Sequence, residues 1–125
     1  KRKSEEINVK PEQMQAGRPT ITYDEFARLD IRIAEVKRAQ RIAGADKLLL
    51  LVVDDGEGER QIVAGIAEWY EPESLVGKKI VLLANLQPAR IRGVESRGMM
   101  LAAEMDGRAV MLMPEEDVPA GSKVL

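Results

Sequence analysis

The run Asn85–Ala103, NLQPARIRGVESRGMMLAA, places Arg90, Arg92 and Arg97 together with Pro88, Gly93, Ser96 and Gly98 between two apolar stretches. Guanidinium groups on a short connection are suited to holding phosphate oxygens two at a time through parallel N–H donors. Lys78 and Lys79 precede them and Glu95 is the one acid between residues 76 and 98, so this segment carries +4 in a chain whose total is −2. Charge is segregated along the sequence: residues 1–20 sum to +2, 21–75 to −5 and 99–125 to −3. A basic edge on an otherwise acidic chain fits a polyanion held by its backbone, with acidic surface elsewhere discouraging indiscriminate contact. The same charges, dispersed in space, would only keep a domain soluble, and the order of residues leaves both readings open.

Other chemistries find few residues to carry them. The chain has no His and no Cys, which removes the commonest general base, imidazole and thiolate metal ligands, and disulfides. No catalytic residue, cofactor or metal is therefore expected. The acidic turn Asp54–Glu59, DDGEGE, lacks the spacing and the closing bidentate Glu of a calcium loop, and GVESRG is neither a P-loop nor a dinucleotide fingerprint. Aromatics make up 3% of the residues. Stacking of unpaired bases on aromatic platforms is correspondingly disfavoured relative to an electrostatic clamp on folded RNA.

The 125 residues suffice for one core, built of Val, Ile, Leu, Ala and Met. Residues 1–20 are polar and read as a linker or arm with a basic start at Lys1, Arg2 and Lys3. A chain opening on Lys rather than Met is a candidate segment of a longer polypeptide. Thr22 and Glu25 form a capping-box pattern that predicts a short helix from Tyr23 to Leu29, with Phe26 and Leu29 as its buried stripe. Strands are expected over Asp30–Gln40, with a bulge where the apolar parity switches between Ile33 and Ala34–Val36, and over Leu48–Asp54, covered on both sides. Further strands are expected over Gln61–Ile66, Lys79–Leu86, Arg97–Glu104 and Ala109–Met113, with a helical turn in Glu68–Leu75 and a hairpin turn at Asp106-Gly107. This is an all-β pattern: a five-stranded OB-fold barrel with short helices over residues 21–103, then a C-terminal β extension over 104–125. No stretch is long and apolar enough to span a bilayer and no signal peptide opens the chain, so a cytoplasmic location and no membrane partner are expected.

In order along the chain, LDIRIAEV (29–36), GADKLLLL (44–51), RQIVAGIAEWY (60–70), LVGKKIVLLANLQPARIRG (75–93) and SRGMMLAA (96–103) resemble the tRNA-binding domain at the C-terminus of many methionyl-tRNA synthetases. The same domain occurs in free-standing tRNA-binding proteins and in the endothelial-monocyte-activating-polypeptide group. The resemblance implies an OB fold that docks folded tRNA by shape and phosphate contacts, without reading the anticodon and without chemistry of its own. It implies tRNA, a second copy of the chain, and the catalytic part of methionyl-tRNA synthetase as partners.

Carried over residue by residue, the resemblance implies tRNA contacts by Lys47 of the GADKL block, Lys78, Lys79, Asn85, Arg90, Arg92, Ser96, Arg97 and Met99. Some of these have second readings. Arg92 can pair with Glu95, and Asn85, before a turn, can satisfy backbone groups. Gln87 stands where the family usually has Lys, and Arg97 where it has a Gln-like residue, which suggests a shifted footprint. The extension, with Met105, Val110, Met111, Leu112 and Met113, occupies the place of the family's dimer interface; its side chains could equally cover the barrel mouth. A rival function comes from a secretion-associated branch of the same OB family, which holds unfolded peptides, and Met99, Met100, Met105, Met111 and Met113 would supply an apolar surface for it.

Overall fold

The computed structural model describes residues 17–125; the basic start at Lys1, Arg2 and Lys3 and most of the expected arm lie outside the described residues. Helix α1 spans Tyr23–Ala27 and forms the capping box, with the Glu25 N–H donating to Thr22 Oγ1 at 3.1 Å and the Thr22 N–H donating to Glu25 Oε1 at 2.8 Å. It ends before Leu29 because the Asn85 carboxamide captures the next segment, donating to the Arg28 carbonyl at 2.7 Å and accepting from the Asp30 N–H at 2.8 Å. The expected buried stripe does not form: Phe26 is half-buried and Leu29 is 42% exposed. A helix this short lies on the surface with little apolar area to bury.

Strands β1 (Ile31–Ile42), β2 (Ala45–Asp54), β3 (Glu59–Ala64), β4 (Lys79–Leu83) and β7 (Met99–Met100) make one antiparallel sheet in the order β3-β2-β1-β4-β7. The long β1 serves two partners, β4 along Ile31–Glu35 and β2 along Glu35–Ile42, with register shifts at Val36/Arg38 and Arg41/Ile42. The register with β4 is unbroken at Ile33 and Ala34, where the parity switch suggested a bulge; the first shift falls at Val36/Arg38, where β1 passes from β4 to β2, and bends the strand there. The barrel closes where β3 meets Ser96 and Arg97: the Arg97 N–H donates to the Gln61 carbonyl at 3.0 Å and the Val63 N–H to Ser96 Oγ at 2.9 Å. Helix α2 (Pro72–Leu75) lies between β3 and β4 and buries Pro72 and Leu75.

Leu49, Leu51 and Val53 point into the barrel with Val36, Ile62, Ile66, Leu75, Ile80 and Leu82, all with essentially no exposure. Each such side chain contributes about 1.5–3 kcal/mol of burial free energy. Leu48, Leu50 and Val52 on the other face are only half-buried, so β2 is covered on one side, not on both as its apolar run suggests. Gly98 packs where β3 and β4 converge. It sits at φ +131°, and a Cβ there would lie 3.0 Å from the Leu83 carbonyl oxygen and 3.1 Å from Leu82 Cδ1.

The basic segment and the C-terminal residues also depart from expectation. Residues 85–98 are not a simple loop: β5 (Ala89–Ile91) and β6 (Val94–Ser96) form a separate two-stranded hairpin. Its turn residues Arg92 and Gly93 both have positive φ, 52° and 80°, as a type I′ turn requires. The strand expected over Arg97–Glu104 is broken at Leu101 into β7 and β8 (Ala102–Met105). Strand β8 pairs with β9 (Arg108–Met111) through Asp106-Gly107, again positive in φ at both positions. After β9 the chain returns to the barrel. Lys79 Nζ bonds Asp117 Oδ1 at 2.8 Å, and the tail pairs with the start of β1 through Gly121 N–H to the Ile33 carbonyl (2.7 Å), Ile33 N–H to the Ser122 carbonyl (2.8 Å) and Val124 N–H to the Ile31 carbonyl (2.9 Å).

Candidate nucleic-acid interface

Two connections flank the outer face of β2 and β3, the turn between β1 and β2 and the β5–β6 hairpin, and Arg92 joins them. Its guanidinium donates to the Gly44 carbonyl at 2.7 Å, 48 residues away in sequence. Gly44, Ala45, Asp46, Lys47, Leu48, Ile91 and Arg92 line the shallow groove between them. Lys47 is exposed there and enters no ion pair among the described residues. Arg90, exposed on β5 opposite Glu95, donates to the Gly93 carbonyl at 2.6 Å and so steadies the hairpin turn. Arg97 lies just past the base of the hairpin, about 15 Å from its tip at the usual strand rise. From Arg97 through Arg90 and Arg92 to Lys47, cations thus run along the length of the hairpin. The field weakens toward Arg97, which shares a depression with Asp55, Glu57 and Glu59.

The remaining residues named for this role fall elsewhere. Ser96 is 4% exposed, and its hydroxyl accepts from the Val63 N–H and donates to the Gly98 carbonyl at 3.1 Å. Both capacities are used within the protein, so this side chain closes the barrel rather than facing a ligand. Asn85 takes the backbone-satisfying reading through its two bonds to the α1–β1 segment. Lys79 is held by Asp117 and the Val118 carbonyl (2.5 Å) with its side chain 15% exposed, which makes it a fastener for the C-terminal segment. Lys78 is half-buried just before β4 and does not line the groove. Met99 is 41% exposed and pairs with Leu83 on β4, beside a cleft formed by Leu29, Leu83, Asn85 and Leu86.

The extension also divides by face. In the β8–β9 register, Ala102 pairs with Met111 and Glu104 with Ala109, and Ala109 and Met111 pack on the core. The Met111 N–H donates to the Tyr70 hydroxyl at 3.2 Å, so Met111 turns inward and leaves the expected contact face. The opposite face holds Ala103, Met105, Arg108 and Val110, with Met105 50% exposed, and Leu112 and Met113 beyond β9 are 40% and 50% exposed.

The pairing of Arg60 with Asp55 is not among the sequence expectations, although the two stand five residues apart across the β2–β3 turn. Asp55 is 5% exposed, and Arg60 binds it through Nε and a terminal nitrogen, both at 2.8 Å. Arg60 also donates to the carbonyls of Ala84 (2.7 Å) and Arg97 (2.9 Å), tying the two ends of the basic insertion to the β2–β3 turn. Burial pushes the Asp55 carboxyl up, but the Glu57 N–H, the Arg60 hydrogen bond and the charges of Arg60 and Arg32 outweigh it and hold it below the ordinary 3.8.

A closed five-stranded antiparallel barrel with a helix between β3 and β4 is an OB fold. Residues 31–123 match the family described as "Putative tRNA binding domain", and the chain belongs to that family. It is 58% identical over 104 residues to the methionine–tRNA ligase of Methanothrix thermoacetophila, covering 83% of this chain and 15% of that protein. The match to the Thermotoga maritima ligase is 47% over 113 residues, 90% of this chain and 18% of that one. The chain therefore spans under a fifth of the length of these two ligases. Among solved structures, a MetRS-related protein from Pyrococcus horikoshii superposes with a TM-score of 0.81 at 39% identity, covering 86% of this chain and all of that one. The chaperone CsaA of Bacillus anthracis superposes at 0.78 with 32% identity and the same coverages.

Proposed function

We propose that this chain is a non-catalytic tRNA-binding module that clamps folded tRNA by shape and phosphate contacts, without anticodon specificity. It would work in the cytoplasm as a homodimer, as part of methionyl-tRNA synthetase or beside its catalytic part. The observation that carries the reading is the junction of the β1–β2 turn with the β5–β6 hairpin, which lines up Lys47, Arg92, Arg90 and Arg97 beside the barrel. Cations without acidic partners are those that exchange counterions for phosphates on binding.

The test is binding of bulk folded tRNA and of single-stranded RNA of equal length across a salt series. Preference for folded tRNA is expected, with log affinity falling against log salt at a slope of about −2 to −3 for contacts by Lys47, Arg90 and Arg97, made shallower by about 0.7–0.9 in Lys47→Ala and in Arg90→Ala. A slope near zero would remove the electrostatic clamp. The likeness to CsaA and the exposure of Met99, Met105 and Met113 favour a second reading, capture of unfolded peptide. Saturable binding of an unfolded apolar peptide that tRNA does not displace would put that reading first.

A further inference from the structure

The β5–β6 hairpin belongs to neither edge of the main sheet. Its base is anchored: the Gln61 side chain donates to the Glu95 carbonyl at 2.8 Å, and Ser96 is buried against β3. Its tip has one polar tie to the rest of the protein among the described residues, the bond from Arg92 to the Gly44 carbonyl. No backbone hydrogen bond joins the β1–β2 turn to the hairpin among those residues. A two-stranded hairpin alone is marginal in water, so this tie adds to the partial burial of Ile91 and Val94 in holding the tip.

The backbone at the tip supports the same role. Arg92 has φ +52°, a conformation that non-glycine residues adopt infrequently. There the turn directs its side chain across to Gly44, while Arg90 bonds the Gly93 carbonyl on the same turn. The Arg92 bond joins the two walls of the groove, one of which carries Lys47, and the Arg90 bond steadies the turn from which Arg92 reaches across. An arginine that bridges two loops in the free protein reduces the ordering those loops must undergo when a ligand binds.

We infer that Arg92 is a positioning residue: it latches the tip of the β5–β6 hairpin to the β1–β2 turn and thereby sets Lys47 and Arg90 at a fixed separation, rather than contacting phosphate itself. The inference rests on the tRNA reading above for its effect on affinity, but the latch exists without ligand and is measured without it. A phosphate contact and a latch differ in what their loss changes. Removing a contact lowers the number of counterions released and makes the salt slope shallower by about 0.7–0.9. Removing the latch loosens the tip in the free protein and weakens binding at every salt concentration with the slope retained.

The experiment compares wild type, Arg92→Ala, Arg92→Met and Lys47→Ala in two arms, amide hydrogen exchange of the free proteins and tRNA binding across the salt series. Arg92→Met retains the aliphatic stem and carries the test if the alanine variant folds poorly. The latch predicts exchange at Ile91 and Val94 faster by about fivefold or more in both Arg92 variants and unchanged in Lys47→Ala. It also predicts affinity lower by about five- to tenfold with the slope shifted by less than about 0.3. Unchanged exchange at Ile91 and Val94 overturns the latch, as does a slope shallower by nearly one contact. If wild type binds no tRNA at any salt, the functional reading fails separately, and the exchange arm alone still decides the latch.

Discussion

Among the side chains of the basic segment, neighbouring residues have opposite fates. Ser96 and Arg97 are adjacent, yet Ser96 is buried with both hydrogen-bonding capacities used and Arg97 is exposed. Replacing Ser96 by Ala leaves the Val63 N–H without its partner inside the barrel, a loss of about 1–3 kcal/mol. Urea denaturation of Ser96→Ala should show that loss, while tRNA affinity measured well below the melting temperature stays within about twofold of wild type. A tenfold affinity loss at unchanged stability would restore Ser96 as a ligand contact. The residue types at 85, 79 and 96 suggested chemistry toward a ligand because amide, ammonium and hydroxyl groups are competent for it. Each found a partner inside the chain, 33 to 57 residues away, and such distant partners leave no local signal.

At the scale of elements, turn chemistry was legible where it needs only two residues. Asp106-Gly107 marks the β8–β9 hairpin because both positions require positive φ. The equivalent Arg92-Gly93 turn carries no such mark in the sequence, because Arg rarely occupies the first such position. The faces of the β8–β9 hairpin are set by its register, which puts Met111 on the barrel and Val110 and Met105 on the open side. If the open side joins two protomers, Val110→Asp should shift the molecule from dimer to monomer in sedimentation with its melting little changed. Met111→Asp, introducing a charge against the core, should instead lower the melting temperature whatever the oligomeric state. A dimer that survives Val110→Asp would place the protomer contact elsewhere.

For the molecule as a whole, two carboxylates among the described residues, Asp30 and Asp55, are held below their ordinary value and so couple stability to acid pH. The Arg32 hydrogen bond holds Asp30 below 3.8 against the opposing effect of burial, and Asp55 is also lowered. Both bind fewer protons folded than unfolded, so their contribution is fully present above the unfolded value and is lost as pH falls through 3.8 toward the lowered folded values. With no His in the chain, no side chain of ordinary pKa titrates between about pH 5.5 and 8. The urea midpoint should be flat over that range and fall below about pH 4. Asp55→Asn should lose about 2–3 kcal/mol at neutral pH, since Arg60 loses its counter-charge, and should show a weaker acid dependence than wild type. An acid limb as steep as that of wild type would show that Asp55 is not among its sources.

Composition and periodicity by themselves determined the class of fold: short β-branched and Leu-rich strands separated by Gly-containing turns, with few aromatics, describe an aliphatic antiparallel barrel. These are local properties, since strand periodicity and turn geometry depend on neighbours within a few residues. The five matching blocks likewise located the family without any coordinates. Tertiary structure alone decided which polar residues were available. Only barrel closure brings Arg60 to the Ala84 and Arg97 carbonyls and Ser96 to Val63, and only the docking of the β5–β6 hairpin brings Arg92 to Gly44. Hydrogen bonds have no sequence periodicity when their partners meet through the packing of a closed sheet, and so the same Arg, Ser and Asn residues read alike along the chain and differ in space.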